Sequence, residues 1–300
     1  MKTSPVPELY EDVMDAWSVL YDEDPRTSGR EWINLGYWDT IGMTYDAACD
    51  RMAEQLALLG GFEKSDHILD SGCGTGTSTR FWYDYVKGDD KKGCSLVGLN
   101  ITPAHIDIAN ESIKGTHYDE HLEFVLGDAT DMHMFDADAF TKIAALECAF
   151  HFDTREDFIR EAFRVLKTSG ILVTADILVK SWTPTYHRAK KYMPDIVART
   201  LFQKSSNNMS MPFENQVDIR EHRRQLERAG FKNIRIIPIN DFTAHFFTHY
   251  RERTQGFLKG RIPEWMTPQE QRHFRIFKKK MDFTNSALRL ADYVLVKAEK

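Results

Sequence analysis

The sequence predicts an α/β fold, in which a mostly parallel sheet is formed by short apolar strands that alternate with helices. The clearest sign is the stretch 67–79, where a short apolar run ends in an acid, a glycine-dense turn follows and a helix begins. The second sign is the repetition of this order, since short apolar runs recur along the chain with amphipathic helical patterns between them. The third is size, because 300 residues can bury a full core as one large domain or as a domain with a cap.

Composition and charge exclude several classes of protein. The chain is 42% hydrophobic and 28% charged with a formal net charge of -6, so we expect no broad nucleic-acid surface. No apolar run approaches the length of a membrane span, and residues 1–5 lack the apolar core of a signal peptide. The cysteines have no paired spacing, which predicts reduced thiols rather than zinc ligands or disulfides. They are Cys49, Cys73, Cys94 and Cys148. We therefore expect a cytoplasmic protein.

The N-terminal region carries helical patterns but no strand pattern. Residues 8–22 place apolar side chains at helical spacing, and residues 45–59 form a second helix that two following glycines would close as a C-terminal cap. We therefore predict an N-terminal helical cap over residues 1–60 and a larger domain over residues 61–300.

The glycine turn after the first strand indicates a nucleotide-like cofactor at the carboxyl end of that strand. Glycines let the backbone turn tightly and leave no side chain between it and a ligand. The helix that follows directs its free N–H groups toward the same place. The spacing is G-x-G-x-G rather than the G-x-G-x-x-G of dinucleotide sites, and Asp70 precedes the first glycine. A carboxylate there repels a pyrophosphate but suits a cationic or amine-bearing ligand.

Over residues 70–76 (D-S-G-C-G-T-G) the chain resembles the class I S-adenosylmethionine-dependent methyltransferases, whose first motif is an apolar strand followed by D-x-G-C-G-T-G. The resemblance implies S-adenosyl-L-methionine as cofactor. It also implies a Rossmann-like sheet of seven strands, the last of them antiparallel between the fifth and the sixth. The turn residues expected to bind the cofactor are Asp70, Gly72, Cys73, Gly74, Thr75 and Gly76.

The resemblance extends over the next two strands. In most family members the second strand ends in an acid that accepts from both ribose hydroxyls, whereas this chain has Asn100, whose amide oxygen can still accept. A V-G-x-N-I-(S or T) version of this segment occurs in the small-molecule branch of the family. The resemblance places Ile101 against the adenine face and Asp128 where an acid accepts from the adenine amino group. The other implied cofactor contacts are His105, Ala129, Leu146, Tyr21 and Trp38. Tyr21 and Trp38 would cover the cofactor, and plain core packing is their alternative.

Two residues just past the carboxyl ends of the fourth and fifth strands are the candidates for chemistry. His151 follows the apolar run 140–146, and Asp176 follows the strand that begins in the family-like segment R-V-L-K-T-S-G-I-L. An imidazole can take a proton from an acceptor hydroxyl, and a carboxylate behind it would orient the ring. Related sugar and natural-product O-methyltransferases carry a histidine and an aspartate in matching places. The alternative is a structural histidine and an aspartate that caps a turn.

Two insertions are predicted to form a lid over the acceptor, at about residues 181–216 and 241–289. The first is rich in aromatic residues and methionine, which suit an apolar acceptor. In the second, Asp241, His245 and His249 share one helical face and invite a metal hypothesis. Solvated or acceptor-facing histidines are commoner on helices, so no metal is assigned.

The sequence as a whole predicts an O-methyltransferase of secondary metabolism that methylates a hydroxyl of a sugar or natural product, with a histidine and an aspartate as the base. Two alternatives remain open. One is N- or C-methyl transfer to a small amine, lipid or isoprenoid-like acceptor, and the other is a cofactor-binding protein without transfer activity. The expected partner is a small-molecule acceptor, and a homodimer is a further possibility.

Overall fold

The computed structural model describes residues 32–87, 95–258 and 288–300, together with the single positions 268, 272 and 275. In chain order its elements are α1 (Tyr45–Gly60), β1 (His67–Ser71), α2 (Thr77–Lys87), β2 (Ser95–Asn100), α3 (Pro103–Ile113), β3 (Leu122–Leu126), β4 (Phe140–Leu146), a 3-10 turn (Ala149–His151), α4 (Arg155–Val165), β5 (Leu166–Val179), α5 (Tyr186–Ala189), α6 (Asp195–Met209), a 3-10 turn (Phe213–Asn215), α7 (Ile219–Ala229), β6 (Lys232–Pro238), α8 (Asn240–Leu258), a 3-10 turn (Leu288–Leu290) and β7 (Ala291–Glu299). The predicted helix over 8–22, with Tyr21, and much of the second insertion lie outside the described residues. None of the helices described is long and apolar enough to cross a membrane.

The seven strands form one sheet in the order β3-β2-β1-β4-β5-β7-β6. Strands β1 to β5 run parallel, and β7 is inserted antiparallel between β5 and β6. The seven-stranded Rossmann-like sheet implied by the resemblance is therefore confirmed. The direction of strand addition reverses between β1 and β4. Open α/β sheets bind their ligands at the carboxyl ends of the strands beside such a reversal.

Helix α1 has the boundaries that its end residues dictate. The Thr44 hydroxyl accepts a hydrogen bond from the Ala47 N–H at 3.2 Å, which satisfies one free amide of the first turn. At the other end Gly61 adopts a left-handed conformation with φ of 59° and closes the helix. Met52 and Leu56 on its inner face are completely buried against the sheet. The described part of the predicted cap thus packs directly on the sheet.

Helices cover both faces of the sheet. Helices α1, α2 and α3 lie on one face, where Trp82 is the largest fully buried side chain. Helices α4 and α7 lie on the other face, around Phe158. Complete burial of an apolar side chain contributes about 1.5–3 kcal/mol, so these two layers hold the strand ends that form the cleft described below.

Strand β5 is longer than the sequence predicts. Its apolar pattern predicts an end near Asp176, whereas the strand continues to Val179 because β7 pairs with it, with Asp176 opposite Val294. Side chains alternate across a strand, and Leu178, two residues on, belongs to the apolar layer beneath α4 and α7. Asp176 therefore points to that layer. The prediction that it lies past the strand end, at the ligand edge of the sheet, is wrong.

The insertion after β5 contains α5, α6 and the 3-10 turn Phe213–Asn215, and it has a small apolar cluster of its own. Tyr186, Ala198 and Phe213 form this cluster, with the rings of Tyr186 and Phe213 centred 4.8 Å apart. We call residues 181–216 the lid. Its last turn is joined to the sheet by buried polar contacts, which position the site.

Candidate active site

A cleft opens at the carboxyl ends of β1, β2 and β4, beside the reversal of strand order. The empty space in and in front of it is about 800 Å³, a volume that includes open solvent. The predicted site residues that line it are Gly72, Cys73, Gly74, Thr75, Asn100, Ile101, His105, Leu146 and His151. Lining residues without a predicted role are Trp32, Ile33, Asn34, Thr77, Ser78, Thr102, Glu147, Cys148 and Phe152. The cleft therefore joins the glycine turn to the predicted catalytic histidine.

The glycine turn requires glycine for two different reasons. Gly72 has φ of 81°, and a Cβ there would lie 2.6 Å from Cys148 Sγ, so neither the backbone nor the space admits a side chain. Gly74 also has a positive φ, of 56°, but a Cβ there would meet no described atom within 4 Å. Its backbone is thus open to the cleft. Gly76 is packed against Phe124 and is not among the described lining residues.

Asp70 lies behind the turn and is fully buried. Its Oδ2 accepts hydrogen bonds from Ser78 Oγ at 2.6 Å and Thr79 Oγ1 at 2.7 Å, which tie β1 to the start of α2. Its Oδ1 has no hydrogen-bond partner among the described residues. Burial raises the pKa of Asp70 to about 6. A buried carboxylate oxygen without a donor favours a cationic or amine-bearing ligand nearby.

Asn100 ends β2 where most family members have an acid, and His105 braces it. The Asn100 Nδ2 lies 3.1 Å from His105 Nδ1. Burial lowers the pKa of His105, so its ring is neutral near pH 7 and can accept the amide hydrogen at Nδ1. This arrangement leaves the Asn100 amide oxygen able to accept a hydrogen bond, and its contact with the ribose hydroxyls stays a prediction.

Asp128 and Ala129 follow β3 and are not among the described residues that line the cleft. Asp128 is exposed, and its Oδ1 accepts from the N–H and the hydroxyl of Thr130, both at 2.8 Å. Ala129 is buried in the same apolar layer as Met132. Their contacts with adenine stay predictions.

His151 ends the 3-10 turn after β4 and lines the cleft. Its Nδ1 lies 2.7 Å from the main-chain oxygen of Ser210 in the lid. A carbonyl oxygen can only accept, so Nδ1 carries the ring proton and Nε2 is the basic nitrogen. Burial lowers the pKa of His151 to about 4, although the Ser210 hydrogen bond opposes the shift. The imidazole is therefore neutral at pH 7.

Asp176 does not orient the His151 ring. It forms a buried ion pair with Arg155, whose Nε lies 2.9 Å from Asp176 Oδ2, and both side chains are 1% exposed. Its Oδ1 accepts the Ile177 N–H at 2.8 Å. Burial raises the pKa of Asp176, and the Arg155 charge opposes that shift. The prediction of a carboxylate behind the imidazole is wrong, because Asp176 lies within β5 and faces α4.

Glu147 also lines the cleft, and the sequence predicts no role for it. It leaves β4 with a positive φ of 53°, and its Oε1 accepts the Leu35 N–H at 2.7 Å. Burial raises the pKa of Glu147 to about 8, while the Tyr293 hydroxyl and the Leu35 N–H oppose the shift. The available signal was an acid directly after a parallel strand, where such sheets place ligand-binding residues.

The loop before α1 supplies an aromatic side chain to the cleft through Trp32 rather than Trp38. Trp32 lines the cleft, and its Nε1 donates to Asp50 Oδ1 at 3.0 Å. Trp38 is buried against α8, with its ring centred 5.8 Å from that of His245 and 5.3 Å from that of His249. The structure places Trp38 in the apolar core, and its contact with the cofactor stays a prediction.

The histidines of α8 are placed as packing residues. His245 and His249 contact Trp38, and Asp241 on the same face is exposed. Within the described part of the chain, no group of three or more His, Cys, Asp or Glu residues could hold a metal ion. The metal hypothesis for this face therefore gains no support.

The fold and the cleft define the class of protein: a Rossmann-like sheet with a nucleoside-cofactor turn at β1 and room for a second substrate beside β4. The family model for a methyltransferase domain matches residues 69–174, the stretch from β1 to β5. The erythromycin 3''-O-methyltransferase of Saccharopolyspora erythraea is 31% identical over 227 residues, covering 75% of this chain and 70% of that protein. The chain belongs to the class I S-adenosylmethionine-dependent methyltransferases, in their small-molecule branch, and its cofactor is S-adenosyl-L-methionine.

The chain is also similar to one further sequence and one solved structure, both named for other reactions. A sterol 24-C-methyltransferase of Kluyveromyces lactis is 35% identical over 129 residues, covering 43% of this chain and 33% of that protein. The structure of the cyclopropane synthase MmaA2 from Mycobacterium tuberculosis has a TM-score of 0.72 at 17% identity and covers 100% of both chains. At that identity the likeness shows the fold alone.

The residues present fit S-adenosyl-L-methionine. The Asp70 Oδ1 has no donor among the described residues and suits a positive or amine-bearing group. The backbone at Gly74 is open to the cleft, and the Asn100 side chain retains an acceptor for the ribose. The turn and the end of β2 would therefore hold the cofactor, with His151 on the β4 side of the same cleft.

Proposed function

We propose that the chain transfers a methyl group to a hydroxyl of a small molecule, a sugar or natural product, with His151 as the general base. The observation that carries this proposal is the orientation of the His151 ring, whose Nδ1–H donates to the Ser210 main-chain oxygen at 2.7 Å. Nε2 is then the nitrogen able to accept a hydroxyl proton. A hydroxyl acceptor needs such a base, whereas a free amine does not.

The proposed mechanism assigns the chain positioning and proton transfer. S-adenosyl-L-methionine, when bound, supplies an electrophilic methyl group on its sulfonium. The cleft aligns the acceptor oxygen with that methyl group and excludes water. His151 Nε2 takes the hydroxyl proton as the new oxygen–carbon bond forms. The pKa of His151, about 4, keeps the ring unprotonated at pH 7, and a weak base suffices because the attacking oxygen becomes strongly acidic.

The β4 side of the cleft supports an acceptor with an apolar body and a few oxygens. Trp32, Leu146 and Phe152 supply apolar surface there. Glu147, with a pKa of about 8, is largely protonated at pH 7 and can donate a hydrogen bond to an acceptor oxygen. The similarity to an enzyme named for O-methylation of erythromycin supports the same class of acceptor.

C-methyl transfer is the second candidate, and the neighbourhood of Glu147 and Trp32 favours it. The aromatic face of Trp32 beside the transferred methyl would stabilise the positive charge left on an alkene carbon, and Glu147 would add to this only in its ionised form. The similarity to a sterol 24-C-methyltransferase over 129 residues supports this candidate.

The test offers methyl-labelled S-adenosyl-L-methionine to the purified chain with matched acceptor panels. One panel contains glycosylated, hydroxylated natural products, a second contains small amines, and a third contains sterols and linear isoprenoids. Label at a hydroxyl, identified by product mass and alkali stability, would support the proposal. Label at carbon or nitrogen would select the alternatives, and cofactor binding without transfer in any panel would favour a protein that acts without methylation.

A further inference from the structure

A buried polar network outside the cleft holds the backbone of the turn that carries His151. Asn215 ends the last 3-10 turn of the lid and is 0% exposed. Its Nδ2 donates to the main-chain oxygen of Phe150 at 3.0 Å and to that of Phe152 at 2.7 Å. One side-chain amide of the lid therefore binds the backbone on both sides of His151.

Arg155 fixes the orientation of that amide. The Arg155 main-chain N–H donates to Asn215 Oδ1 at 2.8 Å, and its Nη1 donates to the Asn215 main-chain oxygen at 2.9 Å. Because the amide oxygen accepts from Arg155, the amide nitrogen must face the turn. The same guanidinium pairs with Asp176 at 2.9 Å and donates from Nη2 to the Ile177 oxygen at 3.0 Å.

Asp176 supports the turn through Arg155 rather than through the imidazole. Its carboxylate pairs with the Arg155 guanidinium, and the same arginine donates its main-chain N–H to Asn215 Oδ1. Asn215 in turn holds the Phe150 oxygen, and the Phe150 N–H lowers the pKa of Asp176. Removing one member of a buried ionic network leaves an unpaired charge, so the members of this network are expected to stay together.

The lid contacts the same histidine a second time. Ser210, which ends α6 in a left-handed conformation with φ of 48°, accepts the His151 Nδ1–H at 2.7 Å. One lid segment, residues 210–215, therefore holds both the ring and the backbone of this turn.

We propose that Asn215, oriented by Arg155 and Asp176, is the positioning residue that fixes the His151 turn relative to the lid. The network fixes where the imidazole stands and which nitrogen carries its proton. The importance of Asn215 for turnover rests on the proposed function, in which His151 is the base. Its effect on the His151 ring is independent of that function.

The test compares Asn215→Ala with Asn207→Ala in the full chain. Asn207 is an exposed asparagine of the same lid, on α6, whose Oδ1 accepts from Gln203 at 2.7 Å. Asn215→Ala deletes both donors to the turn and is expected to lower kcat by about 10- to 100-fold, since small misplacements of catalytic groups have effects of that size. KM for the acceptor and calorimetric affinity for S-adenosylhomocysteine should change little. Asn207→Ala should match the wild type throughout.

The decisive readout is independent of activity. In histidine-labelled protein, NMR should show His151 protonated on Nδ1 with a pKa of about 4 in the wild type. In Asn215→Ala the ring should populate the Nε2-protonated tautomer, and its pKa should move toward the unperturbed value of about 6.5. An unchanged tautomer and titration would overturn the positioning role, whatever the reaction. A changed ring with unchanged kcat would support the positioning role and contradict the proposed base.

Asn215→Asp provides a second variant in case the alanine variant does not fold. The aspartate keeps the volume and the acceptor for Arg155, but its second oxygen cannot donate to Phe150 and Phe152 when ionised. The same change in the His151 spectrum is expected. A His151 spectrum like that of the wild type in this variant would also overturn the proposal.

Discussion

The two halves of the cleft are built in different ways. The cofactor half is local: β1, the glycine turn and the start of α2 follow one another in the chain. Asp70 is braced by Ser78 and Thr79, which lie 8 and 9 residues away. A single stretch of sequence therefore contains the turn, its support and the spacing that identifies its ligand.

The acceptor half is assembled from distant segments. The Leu35 N–H reaches Glu147 across 112 residues, and the Ser210 oxygen reaches His151 across 59. No short motif contains both partners of either contact. A local motif therefore specifies the cofactor, whereas the chemistry on the acceptor depends on how the lid and the N-terminal loop dock.

The largest expected effect lies in the acceptor half. His151→Asn removes the basic nitrogen while keeping a polar side chain, so kcat should fall by about 10²- to 10⁴-fold, the usual contribution of a positioned base. Affinity for S-adenosylhomocysteine, measured by calorimetry, should be retained because the glycine turn is unchanged. The matched control is His133→Asn, at a histidine whose side chain is 77% exposed. Turnover that survives in His151→Asn would remove this residue as the base.

The second prediction concerns the cofactor half and compares alanine substitutions at two glycines of nearly equal φ. Gly72 has φ of 81° and a Cβ there would meet Cys148, whereas Gly42 has φ of 82° and a Cβ there would meet no described atom within 4 Å. Gly42→Ala should lower the free energy of unfolding by about 1 kcal/mol, from backbone strain alone. Gly72→Ala adds overpacking and should lower it by about 2–4 kcal/mol, with loss of cofactor binding. Urea unfolding measures the free energy of unfolding and calorimetry measures cofactor binding. Equal losses of unfolding free energy in the two variants would show that backbone strain alone makes Gly72 necessary.

The same contrast explains how much the sequence could predict. The local motif and the strand after it predict cofactor contacts for Gly72, Gly74, Asn100 and His105, and all of them line the cleft. The sequence misplaces Asp176 because the end of β5 is set by pairing with Val294, a residue more than a hundred positions later. The pattern of apolar residues in β5 carries no information about that partner.

The loop before α1 shows a second limit. Trp32 and Trp38 have the same side chain in the same loop, and only Trp32 lines the cleft. Trp38 is turned away because its main-chain N–H donates to the Phe242 oxygen at 2.8 Å and its ring packs on α8. Which tryptophan enters a cleft is decided by a helix that lies elsewhere in the sequence, so periodicity and composition cannot choose between them.

A third prediction concerns the pH dependence of stability. Burial raises the pKa of Glu147 from 4.5 to about 8. Between these values the folded state binds more protons than the unfolded state, so this residue's contribution to stability falls as pH rises through that window. The slope is at most about 1.4 kcal/mol per pH unit. Glu147→Gln keeps an oxygen for the Leu35 N–H but does not titrate.

Urea unfolding at several pH values measures this contribution. From pH 5.5 to 7.5 the variant Glu147→Gln should gain about 2–3 kcal/mol relative to the wild type, following that slope. Glu120→Gln, at an exposed glutamate, provides the control and should run parallel to the wild type. Parallel profiles for Glu147→Gln as well would mean that Glu147 does not titrate in this window.

The smallest effect separates the two tryptophans of the N-terminal loop. The Trp38 indole donates to the Leu35 oxygen at 2.8 Å, and the Trp32 indole donates to Asp50 at 3.0 Å. Replacing either by Phe removes one such hydrogen bond, so each variant should lose about 1–2 kcal/mol of unfolding free energy. Their functional effects should differ, because only Trp32 borders the space beside Glu147. Trp32→Phe should raise KM for the acceptor by a small factor, and Trp38→Phe should leave both KM and cofactor affinity unchanged. If Trp38→Phe instead weakened cofactor binding, the loop would cover the cofactor through Trp38. The cofactor half of the cleft would then depend on distant segments, as the acceptor half does.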